Sequence, residues 1–253
     1  MHQLGKSVRR GLLATVSAMA LAAGAALWQR SRGNRGPQQQ RLGRDGQTGS
    51  AETAGGIDTS TLTRQFLLYY IMPVWLAAGV ADWVCHRATS IEATTGAKES
   101  LMHLLMLAEV SIPVTAGYFL EVTAPVAALM IIAFFLHEAT ALWDVNYAVT
   151  AREVTPIEQH VHSFLEMVPL MAISFIAVLH WPQFRALLGI GGERADLSLR
   201  AKDQPLPRHY IPISLGATGV FELLPYLEEL YRCLRASHGR LIPAGSPANQ
   251  PAG

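Results

Sequence analysis

Four long apolar runs, separated by short polar stretches, dominate the hydrophobic pattern of the chain. They cover residues 66–86, 101–120, 125–147 and 160–181, and a weaker apolar run covers 11–28. Each of the four has about 20 residues and few charges, which is the length and composition of a helix that crosses a membrane. Neighbouring runs are joined by short loops. The pattern therefore predicts an all-α fold: a polytopic membrane four-helix bundle with short loops, occupying residues 64–185.

The part of the chain before the bundle divides into an apolar segment and a polar linker. Lys6, Arg9 and Arg10 precede the apolar run, so residues 1–28 are predicted to be a signal peptide or an uncleaved signal anchor. Residues 29–63 are rich in Gly, Gln, Arg and Ser and have almost no large apolar side chain to bury. Such a composition predicts a disordered linker.

Two further segments and a tail follow the predicted bundle. Residues 186–209 form a polar linker, and residues 210–236 carry apolar side chains at helical spacing, which predicts a C-terminal amphipathic or membrane-associated helix. Glu222 lies inside the more apolar first half of that segment, so a surface or re-entrant course is favoured over a fifth span. Residues 237–253 are predicted to be a disordered tail.

Charge adds a prediction of topology and excludes one class of partner. The chain has 20 Lys and Arg against 19 Asp and Glu, and its arginine-rich linker lacks interleaved aromatic residues, so nothing indicates nucleic-acid binding. Basic residues concentrate in the two polar linkers, whereas the loops at the opposite end carry only Arg87, Lys98 and Arg152. The positive-inside rule then predicts a bacterial-type inner membrane protein with its N-terminal linker and C-terminus in the cytoplasm. A signal anchor at the N-terminus would favour the reverse orientation.

Pairs of acidic and histidine residues lie where the first span ends and the second begins. Asp82 and His86 form one pair, and Glu99 and His103 form the other. In each pair the histidine follows the acid four positions later along the chain. Residues at this spacing lie about 40° apart on a helix wheel, so each pair shares a face. Because the two spans run antiparallel across a short loop, both pairs are expected at one membrane level.

The third and fourth spans repeat this arrangement. His137 and Asp144 are seven residues apart, about 20° on the wheel, and Glu158, His162 and Glu166 follow one another at four-residue intervals. Ionisable groups are costly inside an apolar bundle, so their convergence indicates a functional site.

Metal binding is the chemistry that these residue types favour. Imidazole and carboxylate ligands together suit iron, manganese or zinc. The predicted metal ligands are Asp82, His86, Glu99, His103, His137, Asp144, Glu158, His162 and Glu166. Glu158 is also the third helical residue of a capping box that begins at Thr155, so a capping role alone would explain it too. Glu138 lies off the ligand face and is the candidate catalytic base.

The pairs resemble the ligand sets of four-helix-bundle di-metal carboxylate proteins and, more distantly, those of histidine-motif membrane hydroxylases and desaturases. The similarity covers residues 82–166 and concerns ligand type and helical placement. The spacing here is Glu-x-x-x-His where ferritin-like proteins use Glu-x-x-His, and the sequence has no His-x-x-His-His box. The resemblance implies a metalloenzyme that acts on a membrane lipid or another apolar substrate.

The reaction expected depends on the metal. With iron, possibly two ions, it would be oxygen-dependent hydroxylation or desaturation, and a separate reductase would be needed because the chain has no flavin, Rossmann or iron–sulfur signature. With zinc, it would be hydrolysis by a metal-activated water, with Glu138 as the base.

Three other interpretations stay open. A b-type haem could be held by two histidines, for example His103 with His137, although the carboxylates would then be unexplained. Chains of acids and histidines could also relay protons or ions across the membrane. A structural metal clamp without catalysis is the third. Nucleotide chemistry has no support, since the sequence lacks a P-loop, and Cys85 and Cys233 lie in unrelated contexts.

Overall fold

The structure is a computed structural model that describes residues 58–249. This range is all-helical and contains no strand, which confirms the predicted fold class. Its six helices are α1 (Thr59–Thr89), α2 (Ala97–Phe119), α3 (Ala124–Ala151), α4 (Pro156–Leu179), α5 (Trp181–Leu187) and α6 (210–236). The predictions for residues 1–28, for most of the linker 29–63 and for the last four residues fall outside the described part of the chain.

Helices α1 to α4 each have the length and hydropathy of a membrane span, so the prediction of a membrane protein with transmembrane helices is confirmed. They have 31, 23, 28 and 24 residues. The predicted fourth run, 160–181, overruns the end of α4 at Leu179. The reason is local: Pro182 is well suited to a first helical turn, and α5 begins there, at Trp181.

The described residues fall into two compact units, one that ends at Val74 and one that begins at Trp75. In the first unit Asp58 caps the start of α1 by accepting a hydrogen bond from the backbone N–H of Ser60 at 3.1 Å. The second unit, Trp75–Gly253, contains the rest of α1, all the other helices and every acidic and histidine pair described above.

Within the second unit, two small cores mark the two ends of the bundle. At one end Ile91, Ala97 and Cys233 are completely buried together, and we call it the Ile91 end. At the other, Phe184 packs against Val126 and its neighbours in α3, and we call it the Phe184 end. The polar linker folds back onto the Phe184 end, where its backbone bonds to the α2–α3 turn.

Helix α6 runs along α2 from the Phe184 end to the Ile91 end. It consists of Tyr210–Thr218, a π-helical turn Gly219–Leu223, and Leu224–Ala236. Near its start, the hydroxyl groups of Ser214 and Tyr118 are 2.7 Å apart. Near its end, Cys233 joins the core of the Ile91 end. A continuous helix of this kind is about 40 Å long.

Candidate metal centre

Two stacked histidines share one carboxylate. The rings of His86 (α1) and His103 (α2) are 4.3 Å apart and within 5° of parallel. The Nδ1 atoms lie 3.0 Å (His86) and 2.8 Å (His103) from the two carboxylate oxygens of Glu229 (α6). An ionised carboxylate can only accept hydrogen bonds, so each Nδ1 donates its proton to Glu229. In a neutral ring, Nε2 then carries no proton and has a lone pair that can accept a hydrogen bond or bind a metal ion.

The two Nε2 atoms face further hydrogen-bond acceptors. His86 Nε2 is 3.5 Å from both Asp82 Oδ1 and Glu158 Oε1, and His103 Nε2 is 3.5 Å from Asp144 Oδ2. Neither Nε2 makes a hydrogen bond, and Oδ1 of Asp144 makes none either. Unpaired acceptors directed at one another in a dry interior are costly, so a positive group between them, a metal ion or a proton, would be stabilising.

His162 of α4 completes the cluster. Its Nε2 lies 2.8 Å from Asp82 Oδ1, and its ring stands edge-on to that of His86. Potential ligand atoms lie within 4.8 Å of one another in three trios. The trios are Asp82, His86 and His103; His86, Glu158 and His162; and Glu99, His103 and Asp144. Because they share His86 and His103, they form one continuous cluster, which we call the metal cluster.

Arg152, in the α3–α4 loop, links two acids of the metal cluster. Its Nη2 donates to both Glu99 and Glu158, and its side chain is 3% exposed. Burial disfavours the charged guanidinium, but the two carboxylates outweigh that effect and raise the pKa of Arg152 above its ordinary value. The arginine therefore stays cationic and fixes both acids.

Glu158 serves as a helix cap and as a member of the cluster at the same time. Its backbone N–H donates to Thr155 Oγ1 at 3.2 Å, and its carboxylate accepts from the backbone N–H of Thr155 at 3.4 Å, so the predicted capping box is present. The same carboxylate bonds to Arg152 and approaches His86. The two interpretations that the sequence left open are compatible.

The metal cluster and its partners Glu229 and Arg152 contain more carboxylates than permanent positive charges. Five buried carboxylates, of Asp82, Glu99, Asp144, Glu158 and Glu229, are accompanied by one guanidinium. With neutral histidines the formal excess is four negative charges. Burying unpaired charge is expensive, and two divalent cations would neutralise it.

The structure places His137 and Glu166 apart from the metal cluster. Both line a cavity of about 40 Å³ that also contacts Asp82, His103, Asp144 and His162. His137 lies about 10 Å along α3 from Asp144, which is two helical turns deeper in the bundle. There its Nδ1 is 3.9 Å from a carboxylate oxygen of Glu109. Glu138 belongs neither to the three trios nor to the cavity lining.

Sequence analysis missed the residues that α6 contributes. Glu229 bonds both stacked histidines, Tyr226 donates to Asp82 Oδ2 at 3.4 Å, and Glu222 lines the cavity. The signal was present, because these three residues follow one another at four- and three-residue spacing and share a helix face. The sequence predicted an amphipathic helix on the membrane surface or docked on the bundle; α6 is docked on the bundle, and these three side chains are buried there.

No protein-family model matches the chain, and neither a curated protein nor a solved structure matches it. The resemblance to di-metal carboxylate bundles thus stays a prediction from ligand type and helix placement. The structure itself shows four candidate membrane helices and buried histidine, aspartate and glutamate groups that could hold a metal.

Proposed function

We propose that this protein is an integral membrane metalloenzyme with a centre of two divalent metal ions that acts on a lipid or another apolar substrate. The stacked pair of His86 and His103 is the observation that carries the proposal. Both rings turn Nδ1 to Glu229, so both Nε2 atoms point the same way, at a separation comparable with the 4.3 Å ring spacing. Metal ions in two-metal sites lie about 3.5–4 Å apart, so each ring can bind its own ion.

The surrounding residues divide into two ligand sets. His86, with Asp82, Glu158 and His162 near it, would hold one ion, and His103, with Asp144 and Glu99 near it, would hold the other. Glu229 would act from outside these sets, since a carboxylate on Nδ1 fixes the ring orientation and makes Nε2 a better ligand.

The apolar part of the wall of the cavity beside the cluster favours an apolar substrate group. Alongside the polar residues, its walls include the apolar side chains of Trp75, Met106, Leu107, Ala141 and Leu165. These side chains come from helices α1 to α4, all of which are candidate membrane spans, so a substrate dissolved in the bilayer is the chemistry that fits them.

The metal determines the reaction class. Bound iron would supply oxygen activation for hydroxylation or desaturation, with electrons from a separate reductase, and bound zinc would supply an activated water for hydrolysis. Glu222 lines the cavity and Glu138 does not, so Glu222 is the better placed of the two to exchange a proton with a substrate.

Elemental analysis and the visible spectrum of protein purified in detergent without chelators test the proposal. We expect about two metal ions per chain. His86→Ala and His103→Ala should each lose metal, because each removes an Nε2 ligand. His160→Ala is the matched control, since this exposed residue of α4 packs against Phe164.

Three results would overturn the dinuclear centre. They are full metal content in both histidine variants, a haem absorption band in place of non-haem metal, and folded parent protein that holds no metal. The last result would favour protonated histidines in the cluster and thus the proton-relay interpretation.

A further inference from the structure

Helix α6 is polar on its buried face and apolar on its exposed face. Its buried side chains include Ser214, Glu222, Tyr226 and Glu229. From Ile213 to Tyr231 its exposed large side chains are apolar or aromatic, and Arg235 is exposed near its end: the apolar and aromatic ones are Ile213, Leu215, Val220, Phe221, Leu223, Leu224, Leu227 and Tyr231. A helix on the surface of a water-soluble protein has the opposite arrangement. Polar groups turned into a bundle and apolar groups turned outward are characteristic of a helix surrounded by lipid.

The contacts of α6 reach both ends of the bundle. Ser214 meets Tyr118 near the Phe184 end, and Cys233 is buried with Ile91 and Ala97 at the Ile91 end. The helix thus follows the full length of α2, itself a candidate span. Its length of about 40 Å exceeds the hydrocarbon core of a bilayer, which is about 30 Å thick.

Three of the five charged residues that lower the hydropathy of α6 have partners on other elements. Glu229 bonds the two stacked histidines. Glu228 accepts hydrogen bonds from Trp83 and Arg87 at the end of α1. Beyond it, Arg232 pairs with Glu92 in the α1–α2 loop. Glu229 is therefore hydrogen-bonded inside the bundle and Glu222 is buried beside the cavity, while Glu228, Arg232 and Arg235 lie near the Ile91 end, where a span leaves the membrane.

We propose that residues 210–236 form a fifth membrane span, whose outer face contacts lipid acyl chains and whose inner face closes the metal cluster. Under this proposal the part of the polar linker after α5, residues 188–209, and the C-terminal segment, 237–249, lie on opposite sides of the membrane. The sequence-based topology had both on one side. The proposal stands on the contacts and exposed side chains of α6 and does not depend on metal binding.

A fifth span also changes how the positive charges are divided between the two ends of the bundle. Arg232, Arg235 and Arg240 then join the Ile91 end, which already has the basic residues of the two short loops. The Phe184 end has Arg185, Arg194, Arg200, Lys202 and Arg208. The described loops thus carry similar positive charge at both ends, and the positive-inside argument then depends on the arginines of 29–57.

Cysteine labelling in sealed membrane vesicles tests the fifth span. Glu193→Cys reports on the linker and Gly245→Cys on the C-terminal segment, while Ala93→Cys and Glu153→Cys mark the Ile91 end; all four native residues are exposed. The native Cys85 and Cys233 are buried, and the parent protein gives their background signal. A membrane-impermeant maleimide is applied before and after detergent.

We expect Gly245→Cys to label together with Ala93→Cys and Glu153→Cys, and Glu193→Cys to label only from the opposite side. Labelling of Glu193→Cys and Gly245→Cys from the same side would overturn the fifth span. Metal content, measured on the same preparations, reports separately on the proposed function, so failure of one proposal can be told from failure of the other.

Discussion

At the scale of single residues, Glu229 determines the geometry of two histidines at once. Each of its oxygens accepts one Nδ1–H, and both rings are buried with it. One carboxylate therefore selects the tautomer of both rings and turns both Nε2 atoms toward the other acids. Removing it would leave two buried donors without acceptors, which is costly.

Substituting Glu229→Gln should weaken metal binding by about 10- to 100-fold, as loss of a carboxylate behind a ligating histidine typically does. The amide offers one acceptor oxygen and one donor group, so it can satisfy only one of the two Nδ1–H groups. Metal titration of the detergent-purified variant measures the effect.

Glu228→Gln is the matched control for this experiment, because Glu228 is adjacent in sequence but bonds Trp83 and Arg87 outside the cluster. It should bind metal like the parent protein. Parent-like affinity in Glu229→Gln would show that the shared carboxylate does not position the ligands.

At the scale of secondary-structure elements, α1 and α6 approach closely where glycine meets a buried acid. A Cβ on Gly79 would lie 1.9 Å from a carboxylate oxygen of Glu222. Glu222 lies in the π-helical turn of α6, a feature often found at functional sites, and it is 2% exposed. The glycine thus makes room for this carboxylate beside the cavity.

Gly79→Ala should displace Glu222 and destabilise the protein by about 1–3 kcal/mol, the usual cost of overpacking. Glu222→Ala removes the group that the new methyl would contact, so the double variant should be more stable than the sum of the two single effects predicts. A double-mutant cycle of thermal or denaturant unfolding measures this coupling, which for contacting residues is about 0.5–3 kcal/mol. Additive effects would mean that the two residues do not pack together.

Sequence patterns predicted the helices better than the relations between them. The apolar runs predicted the positions of α1 to α4. A run of about 20 consecutive apolar residues is needed for a transmembrane helix and is rarely needed for any other structure. The same criterion fails for α6, whose inward-facing acids lower its hydropathy although its outer face is apolar. Its course along α2 depends on contacts with distant residues such as Tyr118 and Ile91.

At the scale of the whole molecule, the metal cluster and its partner Glu229 join five helices, and Arg152 adds the α3–α4 loop. His86, His103, Asp144, His162 and Glu229 come from α1, α2, α3, α4 and α6, respectively. Without cations, the buried carboxylates repel one another across the centre of the bundle. Metal binding is therefore expected to stabilise the folded protein as a whole.

Chelation of both metal ions should lower the melting temperature of the detergent-purified protein by about 10–20 °C when free metal is 100-fold above the dissociation constant of each site, and adding metal back should restore it. Tryptophan fluorescence during heating measures the shift. His160→Ala should show the same shift as the parent, and His103→Ala should show a smaller one. An unchanged melting temperature after verified metal removal would contradict the proposed role of the cations.

The sequence by itself determined the four apolar spans and the sharing of a helix face within each acidic and histidine pair, because both follow from residue spacing along one helix. Only the tertiary structure decided which groups meet. A helix wheel gives the angle of a residue but not its depth relative to other helices, so His137 was grouped with ligands that lie about 10 Å farther along α3. Glu229 reaches both histidines from a helix distant in sequence, and Arg152 joins Glu99 to Glu158, so only the packing of α6 and of the α3–α4 loop brings these two residues to the cluster.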